Sequence, residues 1–118
     1  MAQTSEIAEK SKAFALRILR LSDYLRRKKH ESVLGNQLLR SGTSIGANVR
    51  EASRAQSRAD FYTEMTIALK EADESAYWLE LLHEGGILDQ KQFDSMYRDC
   101  QELICLLVAI TKTVRENS

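Results

Sequence analysis

The 118-residue sequence predicts an all-α protein, an antiparallel up-down-up-down four-helix bundle. Apolar residues recur at alternating spacings of three and four along four successive segments, which is the period of a helix face packed in a bundle. The chain has no proline, and the connections between the segments are short enough to make consecutive helices antiparallel neighbours. We therefore predict a single domain over residues 1–118, with helices over residues 6–29, 32–54, 58–84 and 90–115.

The first helix is predicted from its apolar stripe and from the residues at its two ends. Ser5 precedes the stripe and is expected to cap the helix N-terminus through its hydroxyl oxygen. A run of four basic residues at 26–29 suits the negative end of the helix dipole. The same run also allows a second interpretation, a patch for an anionic ligand or a nucleic acid. The stripe consists of Ile7, Phe14, Ile18, Leu21 and Leu25.

The second helix is unusually rich in small residues. Gly42 and Gly46 are four residues apart and so share one face. Because a glycine inside a helix costs about 1 kcal/mol relative to alanine, we interpret these residues as a surface that neighbours approach closely on more than one side. Ser32 is expected to cap this helix. Hydroxyls in residues 41–44 can bond back to carbonyls four residues earlier, which predicts a bend.

The third and fourth helices are bounded by sequence signals at their ends. Two of these signals are capping motifs, and Gly85-Gly86 is expected to end the third helix because glycine adopts the left-handed closing conformation. Residues 104–110 of the fourth helix are apolar on every side, so we expect its outer face to contact another subunit. The capping motifs are Ser57 with Asp60, and Asp89 with Gln92.

The two halves of the chain carry opposite charge although the net charge is zero. Residues 1–60 contain 12 Lys and Arg against 6 Asp and Glu, whereas residues 61–118 contain 5 against 11. One interpretation is a chance distribution over solvated faces. The other is that the basic and acidic halves meet, either within one subunit or across a head-to-tail interface between subunits.

The composition indicates a cytoplasmic protein. No segment approaches the 18 consecutive apolar residues of a membrane span, and residues 1–12 lack the apolar core of a signal peptide. Cys100 and Cys105 are five residues apart, on different faces of one helix. They are therefore expected to be buried free thiols in a reducing compartment rather than a disulfide or a metal-binding pair.

The sequence offers little that suits catalysis, so we predict no enzyme activity, cofactor, metal or small-molecule substrate. Glu80 and His83 match one Glu-x-x-His motif, but di-iron bundles need two such motifs and two further carboxylates. Several polar residues on helices 2 and 3 have helical spacing. We expect them to form a polar network or subunit interface, with an active site as the alternative. The predicted interface residues are Gly42, Ser44, Gly46, Asn48, Glu51, Glu71 and Glu74.

Basic residues along the first two helices suggest a nucleic-acid partner, since Lys and Arg bind phosphates by charge alone. The sequence pI of about 6.7 is low for a dedicated nucleic-acid module. Some of the four arginines on helix 2 and its approach to helix 3 could instead pair with Glu71, Asp73, Glu74 or Glu80 of a neighbouring subunit. The four are Arg40, Arg50, Arg54 and Arg58. The candidate nucleic-acid-binding residues are Arg26, Arg27, Lys28, Lys29, Arg50, Arg54 and Arg58.

Three segments resemble a known family. Residues 37–52 (QLLRSGTSIGANVREA) are similar to the second helix of the small four-helix-bundle proteins encoded in intervening sequences of bacterial 23S rRNA genes, and residues 55–61 and 67–82 are similar to the third helix. The resemblance implies a left-handed bundle, a ring-shaped homopentamer and no enzyme activity. A related branch, the basic pentameric accessory protein of diversity-generating retroelements, engages a reverse transcriptase and nucleic acid. It implies the alternative function of a nucleic-acid-binding adaptor.

Overall fold

The computed structural model describes residues 2–117, with side chains from Thr4 onward, and contains four helices. Helix α1 spans Ala2–Lys28, α2 spans Val33–Ser53, α3 spans Arg58–Glu84 and α4 spans Gln90–Glu116. Helix α1 begins four residues earlier than predicted, and the other bounds lie within a residue of the predicted ones. The two outermost residues of the predicted domain, 1 and 118, lie outside the described residues.

The prediction of an all-α four-helix bundle is confirmed. Each helix packs against the next one along the chain, and α4 returns to pack against α1. The bundle measures 46 × 20 × 20 Å. Its core is the predicted set of stripes, with one apolar face from each helix and the largest fully buried side chains at its centre. These include Ile7, Phe14, Ile18, Leu25, Leu38, Ile45, Met65, Leu79, Leu82, Leu103 and Leu107. The left-handed twist and the bend in α2 stay predictions.

The predicted ends of α3 and α4 are confirmed. The Ser57 hydroxyl accepts a hydrogen bond of 3.0 Å from the Asp60 backbone N–H. Both reciprocal bonds of a capping box join Asp89 and Gln92, at 2.7 Å and 3.2 Å. Gly86, with φ +82°, supplies the left-handed residue after α3. Local sequence therefore fixes these boundaries, because each cap bonds backbone groups that the helix leaves free.

The predicted caps of α1 and α2 are wrong. Ser5 lies inside α1, which begins at Ala2. Ser32 precedes α2 but its side chain makes no capping hydrogen bond. The Glu31 carboxylate takes that role instead and accepts a hydrogen bond of 2.8 Å from the Leu34 N–H. An anionic oxygen at a helix N-terminus satisfies the same free N–H groups as a serine hydroxyl and also suits the positive end of the helix dipole.

Helices α1 and α2 pack closely where the small residues of α2 lie. Gly42 is buried, and a Cβ atom at this position would lie 2.8 Å from Cγ1 and 3.0 Å from Cγ2 of Ile18. At Gly46 a Cβ would lie 3.4 Å from the Ser11 hydroxyl oxygen and 3.6 Å from the Ser11 backbone. Gly42 therefore allows α1 to approach α2 more closely than a side chain would permit, whereas at Gly46 a methyl group would make ordinary van der Waals contact.

The outer face of α4 carries the exposed cysteine. Cys100 is buried as predicted, but Cys105 is exposed, because two residues five apart on a helix cannot both face the core. Val108, one turn further on, is 46% exposed. The expected contact of this face with another subunit stays a prediction. Within residues 2–117, the helices are all too short or too polar to span a membrane.

The close packing at Gly42 generates a test with a matched control. We expect Gly42→Ala to destabilise the protein by about 1–3 kcal/mol, because the new methyl group overlaps the branched and fully buried side chain of Ile18. At Gly35 the nearest atom to an added Cβ is 3.7 Å away, on Leu25. Gly35→Ala should therefore stabilise α2 by up to about 1 kcal/mol. Urea unfolding of both variants measures the difference, and equal stabilisation by both would contradict the packing.

Candidate interaction surface

The exposed seam between α2 and α3 is held by ion pairs within one subunit. The Arg40 guanidinium bonds Glu71 at 3.1 Å and also bonds Glu74, and the Trp78 indole N–H donates to the Glu74 carboxylate at 3.0 Å. Arg40 therefore pairs with acidic residues of its own chain, and the pairing of some arginines with a neighbouring subunit stays a prediction. The Arg40 side chain is half exposed, so these pairs fix the register of the two helices more than they add stability.

Beneath these ion pairs lies a buried serine pair that the sequence reading missed. The Ser41 and Ser75 hydroxyl oxygens are 2.8 Å apart, and both residues are fully buried. Ser75 also donates to the Glu71 carbonyl at 2.9 Å, while Ser41 lies 3.4 Å from the Leu38 carbonyl. Buried hydroxyls without partners are costly, so the two serines satisfy each other across the α2–α3 interface. The available signal was a serine at a stripe position of each helix.

The predicted polar network divides into separate parts. Ser44 donates to the Arg40 carbonyl at 2.7 Å, and Asn48 donates to the Ser44 carbonyl at 2.8 Å, so both side chains bond back along α2 as residues 41–44 were expected to do. Glu51 is exposed at the C-terminal end of the helix. Among the described residues, no hydrogen bond that we observe joins these three side chains to Glu71 or Glu74.

Oppositely charged side chains also meet between α1 and α4, on the far side of the bundle. The Arg17 guanidinium bonds Asp99 at 2.5 Å and the Ser95 hydroxyl at 2.8 Å, and the Lys10 ammonium bonds Glu102 at 2.6 Å. The bond to Glu102 and a second one to Glu6 raise the pKa of Lys10. Together with Arg40, these contacts show that the basic and acidic halves of the chain meet within one subunit.

The candidate nucleic-acid residues do not form one patch. Residues 26–29 lie where α1 ends, whereas Arg50, Arg54 and Arg58 lie where α2 ends and α3 begins. Because the helices are antiparallel, these are opposite ends of a molecule 46 Å long. At the first end Arg26 and Arg27 pair with Asp23, which reduces the free charge of the run. Any phosphate contact would therefore use two separated clusters.

Both side chains of the Glu-x-x-His motif, Glu80 and His83, contact other side chains of the bundle. The Tyr97 hydroxyl donates to the Glu80 carboxylate at 2.7 Å, and this bond raises the pKa of Tyr97. His83 lies 3.1 Å from the Gln90 side-chain oxygen and stacks on Phe93, with ring centroids 4.3 Å apart. Residues 4–117 contain no group of three or more His, Cys, Asp or Glu side chains placed to hold a metal ion.

The buried cysteine is unsuited to chemistry. Burial raises the pKa of the Cys100 thiol to about 12, and the thiol donates to the Ala72 carbonyl at 3.3 Å. A thiol, not a thiolate, is therefore present at neutral pH, and the thiolate is the form that attacks electrophiles and binds metals. Cys100 serves as a small apolar residue that joins α4 to α3.

A groove of about 740 Å³ lies between α1 and α2, and we call it the α1–α2 groove. Small residues form much of its floor. Lys12, Arg50 and Arg54 line it as cations and form no ion pair that we find with any described residue, while Glu51 is its acidic member. The surface is thus basic and shallow. The lining residues are Ala8, Lys12, Ala15, Thr43, Gly46, Ala47, Val49, Arg50, Glu51, Ser53 and Arg54.

Large apolar side chains are exposed on all four helices. Tyr77 is 53% exposed and Leu19 is 50% exposed, and the others are at least one-third exposed. Single exposed apolar residues are ordinary, but a spread of six over a bundle only 20 Å wide leaves several faces suited to protein contact. Among residues 4–117, the six are Leu16, Leu19, Val33, Ile67, Tyr77 and Val108.

Comparisons with known proteins give one consistent result. Residues 3–109 match the family model described as 23S rRNA-intervening sequence protein. The chain is also similar to a crystal structure from Bacteroides thetaiotaomicron VPI-5482, described as a protein with unknown function from the S23 ribosomal protein family. The two are 47% identical over 93% of this chain and 98% of that chain, with a TM-score of 0.92. None of the curated proteins matches the chain.

The buried serine pair predicts energetic coupling between α2 and α3. Ser41→Ala and Ser75→Ala should each destabilise the protein by about 1 kcal/mol, because each leaves the other hydroxyl without its inter-helix partner. The double variant should lose less than the sum of the two, because it removes both hydroxyls together. A double-mutant cycle from urea unfolding measures the coupling. Strict additivity would contradict a direct hydrogen bond.

Proposed function

The chain belongs to the family of 23S rRNA-intervening sequence proteins, and on that basis we propose that it is a non-enzymatic, cytoplasmic protein that assembles into a ring-shaped homopentamer. The observation that carries the proposal is the distribution of exposed apolar side chains. They lie on all four helices, including Val108 on the outer face of α4. Covering such surfaces with further copies of the chain removes apolar area from water.

The state of the polar side chains supports a non-enzymatic role. The groups that could form an active site on α2 and α3 are engaged in structural contacts, with Ser44 and Asn48 bonded along α2 and with Glu71 and Glu74 bonded to Arg40. A nucleophile next to a general base is the usual sign of hydrolytic or transfer chemistry. The polar side chains of this seam fix helix register instead.

The proposal predicts the mass of the protein in solution. At micromolar concentration, light scattering coupled to gel filtration should give five times the 13.4 kDa chain mass, and native mass spectrometry should count five subunits. A dilution series should show the assembly dissociating directly to single chains, since every contact in a closed ring is equivalent. A mass of 13.4 kDa over the whole series would contradict self-assembly, and a dimer would contradict the ring.

A nucleic-acid-binding adaptor, acting on ribosomal RNA or with a reverse transcriptase, is our second proposal. It is favoured by the cations at the two ends of the bundle. Lys28 and Lys29 at one end, and Arg54 at the other, are exposed and form no ion pair that we find with any described residue. Two basic clusters on one rigid body would contact phosphates at two separate places on a structured RNA.

The adaptor proposal predicts binding that depends on salt and on both ends. Reversing the charge of residues 26–29, or of Arg54 with Arg58, should weaken binding of a structured RNA and flatten its salt dependence. Lys70→Glu, which changes an exposed lysine in the middle of α3, is the matched control and should change binding less. The measurement is fluorescence anisotropy from low salt to 150 mM. An absence of binding at low salt would eliminate the proposal.

A further inference from the structure

We propose that the α1–α2 groove of one subunit receives the exposed face of helix α3 from the next subunit. The inference rests on the self-assembly proposed above and adds which two surfaces meet. It follows from the shape of the groove, from the length over which the two surfaces match, and from the charges on each. The α3 face is defined by six exposed residues, Asp60, Ile67, Lys70, Asp73, Tyr77 and Glu84.

The groove has the shape to hold a helix. Its floor contains Ala8, Ala15, Gly46 and Ala47, and such small side chains allow another backbone to come close. Its α2 wall extends from Thr43 to Ser53, with Arg54 directly after the helix, and these eleven helical residues correspond to about 16 Å. The groove is therefore long enough for about three turns of a docked helix.

The α3 face has projections at a matching separation. Ile67 is 37% exposed and Tyr77 is 53% exposed, although both are large apolar residues. They are ten residues apart on one helix, which corresponds to about 15 Å along its axis. This length agrees with the length of the α2 wall of the groove, so the two side chains match the groove in their separation along the helix axis. Docking in the groove would bury the apolar surface that both side chains now expose to water, which favours association.

The charges of the two surfaces are complementary. The groove presents Lys12, Arg50 and Arg54, against one acidic residue, Glu51. The α3 face presents three carboxylates against one cation, Lys70. Among the described residues we find no ion pair that engages either the three cations or the three carboxylates. Arg40, Arg17 and Lys10, in contrast, form ion pairs within the chain. The charges of the groove and of the α3 face are therefore available to pair with another subunit. Complementary charges of this kind steer association and fix register.

The arrangement also determines the kind of assembly. The groove and the α3 face are different surfaces that point in different directions around the bundle, because α3 packs beside α2 and not beside α1. A contact between two different surfaces is heterologous and repeats from copy to copy, which gives a closed ring when the rotation closes. Docking groove against groove would bring the cations of two copies together, which disfavours a symmetric dimer.

Charge reversal tests the pairing. The groove variant is Lys12→Glu with Arg54→Glu, the α3 variant is Asp73→Lys with Glu84→Lys, and the swap variant carries all four changes. Each of the first two should raise the concentration at half-assembly by at least roughly tenfold, because it juxtaposes like charges. The swap variant should recover assembly, since it restores opposite charges across the same contact.

Two controls separate a docking effect from other effects. Lys28→Glu with Lys29→Glu reverses two exposed cations outside the groove and should leave assembly unchanged. Circular dichroism of every variant should show the native helix content, since all the changed side chains are exposed. If the groove variant and the α3 variant failed to assemble because they misfold, combining their changes would not restore assembly. Recovery in the swap variant therefore tests the contact directly.

The outcomes separate this inference from the proposal of self-assembly. A native chain that stays at 13.4 kDa overturns both. A native chain that assembles, with groove and α3 variants that assemble equally well, overturns only the docking of α3 in the groove. A swap variant that remains dissociated also overturns it, because the two surfaces then do not face each other. If groove reversal abolishes RNA binding and leaves assembly intact, the groove is a nucleic-acid surface instead.

Discussion

The close approach of α1 to α2 is the constraint on which the rest of the structure depends. Gly42 lies against the buried side chain of Ile18, and Gly46 lies against the Ser11 backbone. Without a side chain at Gly42, the apolar stripe of α1 can pack into the common core, and α4 can pack against the other side of α1. The same closeness leaves a shallow groove with a floor of small residues on the outside. Packing inside the bundle therefore shapes the surface available to partners.

The charges of the chain are divided between holding the bundle and facing outward. Arg40, Arg17 and Lys10 bond to acidic residues of α3 or α4 and so set the register of neighbouring helices. These half-exposed pairs contribute little stability individually. Among the cations for which we find no ion pair with a described residue, Lys12, Arg50 and Arg54 lie in the groove, and α3 carries the carboxylates Asp60, Asp73 and Glu84 in the same state. A neutral chain can therefore present strongly different charges on different faces, which favours directional contacts between copies.

Much of the fold could be predicted from local sequence, whereas the roles of its small residues could not. Helix period and capping chemistry act over a few residues, and they placed all four helices and the caps at Ser57 and Asp89. The residue that contacts Gly42 depends on which helix packs against it. The spacing of apolar residues does not specify which helix that is. For the same reason the Ser41–Ser75 bond went unnoticed. The separation of the basic clusters, in contrast, already followed from the predicted antiparallel order and was overlooked.

The distance between Gly42 and Ile18 in solution tests the central claim most directly. Nuclear Overhauser spectroscopy on methyl-labelled protein reads this contact without altering the chain. The account predicts strong cross-peaks from the Gly42 α-protons to the γ2-methyl group of Ile18, and weaker ones from Gly46 to Ser11. Gly42 α-protons with no cross-peak to any α1 side chain would show that the two helices do not meet there, and would contradict the account.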